Sequence, residues 1–154
     1  MKQEGRLLQS HSLPLFIGVD PGNNTGISFW YKNEKQLVCR QYKTHIEAIL
    51  SLRDELKHLW QYNIRFRIED ARKQRKRPDL AKINRGKEQG VGSVKARSKD
   101  WEDFCVHFGY EYELCEPKNT PYKNNPELFK RLTGVSTLKG QDHLRDSAML
   151  VFGY

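Results

Sequence analysis

The chain has 154 residues, enough for one domain with a buried core, and 27 Lys and Arg against 19 Asp and Glu give a formal net charge of +8. A balance this basic points to an anionic partner, nucleic acid before an acidic membrane surface. The three scattered cysteines, Cys39, Cys105 and Cys115, include no C-x-x-C pair and exclude a disulfide framework or zinc cluster, so reduced thiols of a cytoplasmic protein are the expectation; no apolar run is long enough for a signal peptide or membrane span.

Residues 1–12 are polar and read as a frayed lead-in to a single domain. Four apolar residues and a glycine from Leu15 then run into Asp20, Pro21-Gly22 and Asn23-Asn24 mark a tight turn, and Gly26 opens a second apolar run to Tyr31. This is the pattern of a buried strand, a hairpin turn and a second strand. Lys32 to Lys35 make another turn, and Gln36 to Lys43 alternate as a third strand, completing an antiparallel meander. Thr44, with Glu47 three residues on, starts a helix of about four turns in which Ile46, Ile49, Leu50, Leu52, Leu56, Leu59 and Trp60 recur at helical spacing.

Ile64 to Asp70 alternate cleanly, with Ile64, Phe66 and Ile68 on one face and Arg65, Arg67 and Glu69 on the other. A strand reached through a crossover helix lies parallel to one already in the sheet, here the first. After it the chain is strongly basic to Arg77 and is stopped by Pro78. Asp79 to Lys87 suggest a helix, Gly90-Val91-Gly92 a break, and Ser93 to Phe108 a helix closed by Gly109. Tyr110 to Cys115 form a fifth strand, Lys118 to Asn125 a polar loop, Pro126 to Leu132 a helix, and Gln141 to Phe152 a last helix with Leu144, Ala148, Val151 and Phe152 on one stripe. The expected order is β-β-β-α-β-α-β-α-α, an α/β domain with a mixed five-stranded sheet of three antiparallel and two parallel strands.

The first and fourth strands end on carboxylates, Asp20 and Glu69, and in open α/β sheets ligands bind at the carboxyl ends of the strands. The last helix offers Asp142, His143 and Asp146, in which 143 and 146 or 142 and 146 reach a common point. Read singly, Asp20 is also a plausible turn cap, Glu69 a partner for Arg65 or Arg67, and Asp146 a solvated helix residue. Together they form a cluster that repels itself without cations. With two divalent ions it becomes a two-metal phosphodiesterase site, and oxygen ligands favour Mg2+ or Mn2+.

The pattern resembles the RuvC-type Holliday-junction resolvases of the RNase H-like superfamily. The resemblance lies in Ile17-Gly18-Val19-Asp20-Pro21-Gly22 with Thr25-Gly26, in Ile68-Glu69, and in His143-Leu144-Arg145-Asp146-Ser147-Ala148. It implies an RNase H-like fold, a metal-dependent endonuclease that nicks four-way DNA junctions, a homodimer with one active site per protomer, and Asp20, Glu69, His143 and Asp146 as catalytic metal ligands. Family members carry an acid where this chain has His143, which leaves Asp142 or His143 as the fourth ligand. The basic residues Arg72, Lys73, Arg75, Lys76, Arg77, Lys82 and Arg85, with Lys118 after the fifth strand, rim this site and suit phosphate contacts. Rival readings are a nuclease of the same superfamily acting on flaps, forks or structured RNA, and an inactive junction-binding module. An actin-like ATPase would need a second phosphate-binding glycine turn and a larger chain.

Overall fold

A computed structural model describes residues 13–74 and 85–154, with the backbone alone for residues 85–91. The strands are β1 (Leu13–Asp20), β2 (Thr25–Tyr31), β3 (Gln36–Tyr42), β4 (Tyr62–Glu69) and β5 (Glu111–Cys115). They form one five-stranded sheet in the order β3-β2-β1-β4-β5. Antiparallel pairing joins β1 to β2 and β2 to β3, and parallel pairing joins β1 to β4 and β4 to β5. The mixed sheet and its element order match the sequence expectation. The frayed character expected of residues 1–12, and the helix expected from Asp79 up to residue 84, lie outside the described residues.

One sheet face is apolar because alternation puts Leu15, Ile17 and Val19 of β1 beside Ile27 and Phe29 of β2 and Ile64, Phe66 and Ile68 of β4. Two helices cover it. Helix α1 (His45–Leu56) supplies Ala48, Leu52 and Leu56, and α2 (Arg85–Phe108) supplies Trp101, Phe104 and Cys105. Thr44 caps α1 by accepting from the Glu47 amide at 3.1 Å. Its apolar stripe is narrower than expected: Ile46 and Leu50 face solvent, and Trp60, beyond the helix end, is 84% exposed. A short 3-10 turn, Ala71–Lys73, follows β4, and α3 (Pro126–Thr133) begins at a Pro and ends at Gly134, whose φ of 76° suits a residue without Cβ.

Two further helix boundaries differ from the sequence reading. Helix α2 runs unbroken through Gly90-Val91-Gly92. Glycine weakens a helix by about 1 kcal/mol but keeps its N–H and causes no clash, so packing at Trp101, Phe104 and Cys105 can carry the helix. The last helix, α4 (Asp142–Met149), stops short of Phe152; turns then seat Val151 in the interior. Among the described residues no helix is long and apolar enough to cross a membrane.

Helix α4 lies on the other sheet face, against β1, β2 and β3. The same face also carries an open groove lined by Phe16, Arg65, Arg67 and Tyr154.

Candidate metal centre

Asp20 and Glu69 meet because β1 and β4 run parallel in a register that pairs Val19 with Ile68. One residue further on, both side chains turn to the α4 face. Asp20 is only 4% exposed. Arg65 and Arg67, the alternative partners for Glu69, are instead taken by Glu111 at 2.7 Å and by Glu113.

Three glycines let α4 approach closely enough to join them. A Cβ on Gly18 would strike the Ser147 carbonyl, one on Gly26 the His143 carbonyl, and one on Gly22 the His143 imidazole. Small hydroxyls complete the contact, with Ser28 Oγ and Ser147 Oγ 2.7 Å apart and buried. Tight seating of the helix therefore follows from missing side chains in β1, β2 and their turn.

His143 Nδ1 lies 2.8 Å from Asp20 Oδ2. An ionised carboxylate only accepts, so Nδ1–H donates, and Nε2 is the nitrogen left to act on a ligand or water. The charge of Asp142, after the Asp20 bond, helps raise the His143 pKa. Asp146 is 5% exposed and pairs with Lys123, whose Nζ is 2.6 Å from Oδ2. That contact lacks hydrogen-bond alignment, and among the described residues neither Asp146 oxygen, both buried, has a hydrogen-bond partner. Burial, then the charges of Asp20 and Asp146, push the Glu69 carboxyl up to about 7. Burial also raises Asp146, against the pull of Lys123. A small cavity of about 30 Å³ lies between Glu69, Lys118, Thr120, Asp146, Met149 and Leu150, and among the described residues the buried Thr120 Oγ1 has no hydrogen-bond partner.

Lys123 escapes a sequence reading because its loop has no period. The loop is latched to α4 by a buried arginine: Arg145 Nε donates to the Lys123 carbonyl at 2.8 Å, and Nη1 to Thr137 Oγ1 and the Leu138 carbonyl at 3.0 and 2.9 Å. The only signal of it in the sequence is an arginine adjacent to the expected site aspartate.

The expected basic rim separates into groups. Lys118 stands beside Glu69 and Asp146. Arg72 is held by Asp70 at 2.7 Å and Glu102 at 2.8 Å, and Lys73 donates to the Leu114 carbonyl at 2.6 Å. Arg75, Lys76, Arg77 and Lys82 lie outside the described residues, as does the side chain of Arg85. Ser98 Oγ donates to the Glu69 carbonyl at 3.2 Å, which sets Ser98 level with the strand ends. The preceding part of α2, from Arg85 to Arg97, therefore continues past the carboxylates for roughly 20 Å at about 1.5 Å per residue.

Asp20, Glu69, His143 and Asp146 thus gather at one end of the sheet. The donor set is oxygen-rich and suits a hard divalent ion, and the orphaned Asp146 oxygens and the proton affinity of Glu69 mark a shortage of positive charge. Among the described residues, however, no three His, Cys, Asp or Glu side chains converge on one ligand point. Compared with known proteins, the chain matches no family model, no curated protein and no solved structure.

Proposed function

We propose that the chain is a metal-dependent, structure-selective DNA endonuclease with an RNase H-like fold, acting on branched DNA such as a four-way junction. One observation carries the reading: four side chains of the right chemistry, from β1, β4 and α4, gather where two parallel strands end, and among the described residues the buried carboxylate oxygens of Asp146 have no hydrogen-bond partner. A bound Mg2+ or Mn2+ would supply Lewis acidity for phosphodiester hydrolysis, held by Asp20, Glu69 and Asp146 with His143 as the fourth candidate.

The chain's own groups have further roles. Asp20 fixes the imidazole of His143, so that Nε2 can orient or deprotonate water near the carboxylates. Lys118, exposed beside Glu69, offers a positive charge to a backbone phosphate. The extension of α2 adds exposed Lys95 and, at its base, Arg97, whose Nη1 donates to Asn23 Oδ1 at 2.9 Å. A second reading, a junction-binding module without chemistry, draws support from the His143–Asp20 and Lys123–Asp146 pairs, which partly neutralise the cluster.

Labelled four-way, forked and linear DNA, and structured RNA, incubated with the protein with and without Mn2+, separate these readings. Nicking of the four-way junction that requires the ion and disappears in Asp20→Asn, with junction affinity retained, is the expected result. Ion-dependent cleavage of another substrate changes the substrate class, and binding without cleavage by the wild type favours the module.

A further inference from the structure

We propose that the Lys123 ammonium is a resident cation of the carboxylate centre and that a divalent ion must displace it, so that metal affinity is set by a competitor within the same chain. The inference rests on the metal-binding reading above. Lys123 Nζ approaches Asp146 to 2.6 Å, and its charge also acts on Glu69 and Asp20. Burial works against the ammonium, but Asp146, Asp20 and Glu69 together outweigh it. The carboxylates thus already share one positive charge.

The two partners differ in freedom. The Asp146 side chain is held inside α4, whereas that of Lys123 is 34% exposed and comes in from a surface loop. Arg145 fixes the loop through the Lys123 carbonyl, and among the described residues the side chain is tethered at Asp146 alone. A four-carbon stem can swing an ammonium outward with no backbone movement. Beside the pair, the cavity of about 30 Å³ bounded by Glu69, Lys118, Thr120, Asp146, Met149 and Leu150 has room for a water-sized guest, and the buried oxygens of Asp146 and Thr120 next to it are of the hard type that binds small divalent ions. A single charge replaced by a double one better answers the crowding of Asp20, Glu69 and Asp146. Once released, the ammonium stands at the rim beside Lys118, where a phosphate would meet it.

The test compares wild type, Lys123→Gln and Lys123→Arg, stripped of metal and titrated with Mn2+ by calorimetry, with thermal unfolding in chelator alongside. Lys123→Gln should melt lower in chelator yet bind Mn2+ about tenfold more tightly, the effect expected for loss of one partly buried ion pair. Lys123→Arg should bind Mn2+ more weakly than wild type, because a guanidinium grips a carboxylate with two donors. A role in structure alone would not move the two affinities in opposite directions. Equal Mn2+ affinity in all three proteins overturns the competition and leaves the metal reading standing, as does weaker binding in Lys123→Gln. If wild type and both variants take up no Mn2+, the metal reading fails and the competition with it. Should Lys123→Gln not fold, an Arg variant as avid as wild type overturns the proposal alone.

Discussion

Glu69, His143 and Asp146 all hold their protons more tightly in the folded protein than in the unfolded chain. For such groups the associated stability is complete below the unfolded pKa and is lost as pH rises through the folded one. For Glu69 the window runs from an ordinary value near 4.5 to about 7. Asp146 acts in the same direction, and His143 extends the loss above its ordinary value of about 6.5. Metal-free protein should therefore lose stability steadily from weakly acid to neutral pH. Glu69→Gln, neutral at every pH, should flatten this loss, and a saturating divalent ion should recover most of it at the neutral end. Calorimetric melting across this range, in chelator, checks the expectation. At roughly 2–4 °C of Tm per kcal/mol for a domain of this size, the two profiles should separate by several degrees. Parallel profiles would place the Glu69 carboxyl outside the cluster.

At the scale of elements, the site depends on how closely α4 lies on β1 and β2. Gly26→Ala would put a methyl into the His143 backbone, which cannot turn aside, and should destabilise the protein by about 1–3 kcal/mol or more while displacing His143 and Asp146. Gly92→Ala is the control: nothing among the described residues stands near its Cβ, and alanine in a helix interior should stabilise by roughly 0.5–1 kcal/mol. Denaturant midpoints for the two variants should move in opposite directions, and equal shifts would contradict the close seating of α4. These elements also show what a sequence reveals. Asp20 and Glu69 were legible because strand alternation fixes a face and a parallel crossover fixes a neighbour. Of the three glycines only Gly22 read as a turn former, Gly18 and Gly26 reading as strand residues, and their role as space for a helix more than a hundred positions away leaves no local trace. Lys123 and Arg145 were illegible for the same reason, since loop-to-helix contacts have no period. Ile46 and Leu50 carry a helical spacing that the sheet does not use.

Over the whole molecule, the charge of +8 is not spread evenly in its availability to a partner. Arg72 is the clearest case of a cation already committed: it satisfies Asp70, which is buried, and bridges to Glu102 on α2. Removing it leaves a buried carboxylate unpaired, so Arg72→Ala should lower stability by about 1–3 kcal/mol. It should leave the salt dependence of DNA binding nearly unchanged. Arg75, Lys76 and Arg77 follow in the chain just beyond, with Pro78 after them and no acid among them. A segment of this composition gains little from packing, and the proposed function assigns it to phosphates. Replacing all three by alanine should weaken binding to every DNA tested and reduce the slope of log affinity against log salt by about 0.9 for each phosphate no longer neutralised. The melting temperature should hardly move. Binding isotherms at several salt concentrations, paired with thermal unfolding of the same preparations, separate the two classes of cation. A triple variant that melts early with an unchanged slope would put these side chains in the fold; an Arg72→Ala protein of normal stability with a shallower slope would put Arg72 on the DNA.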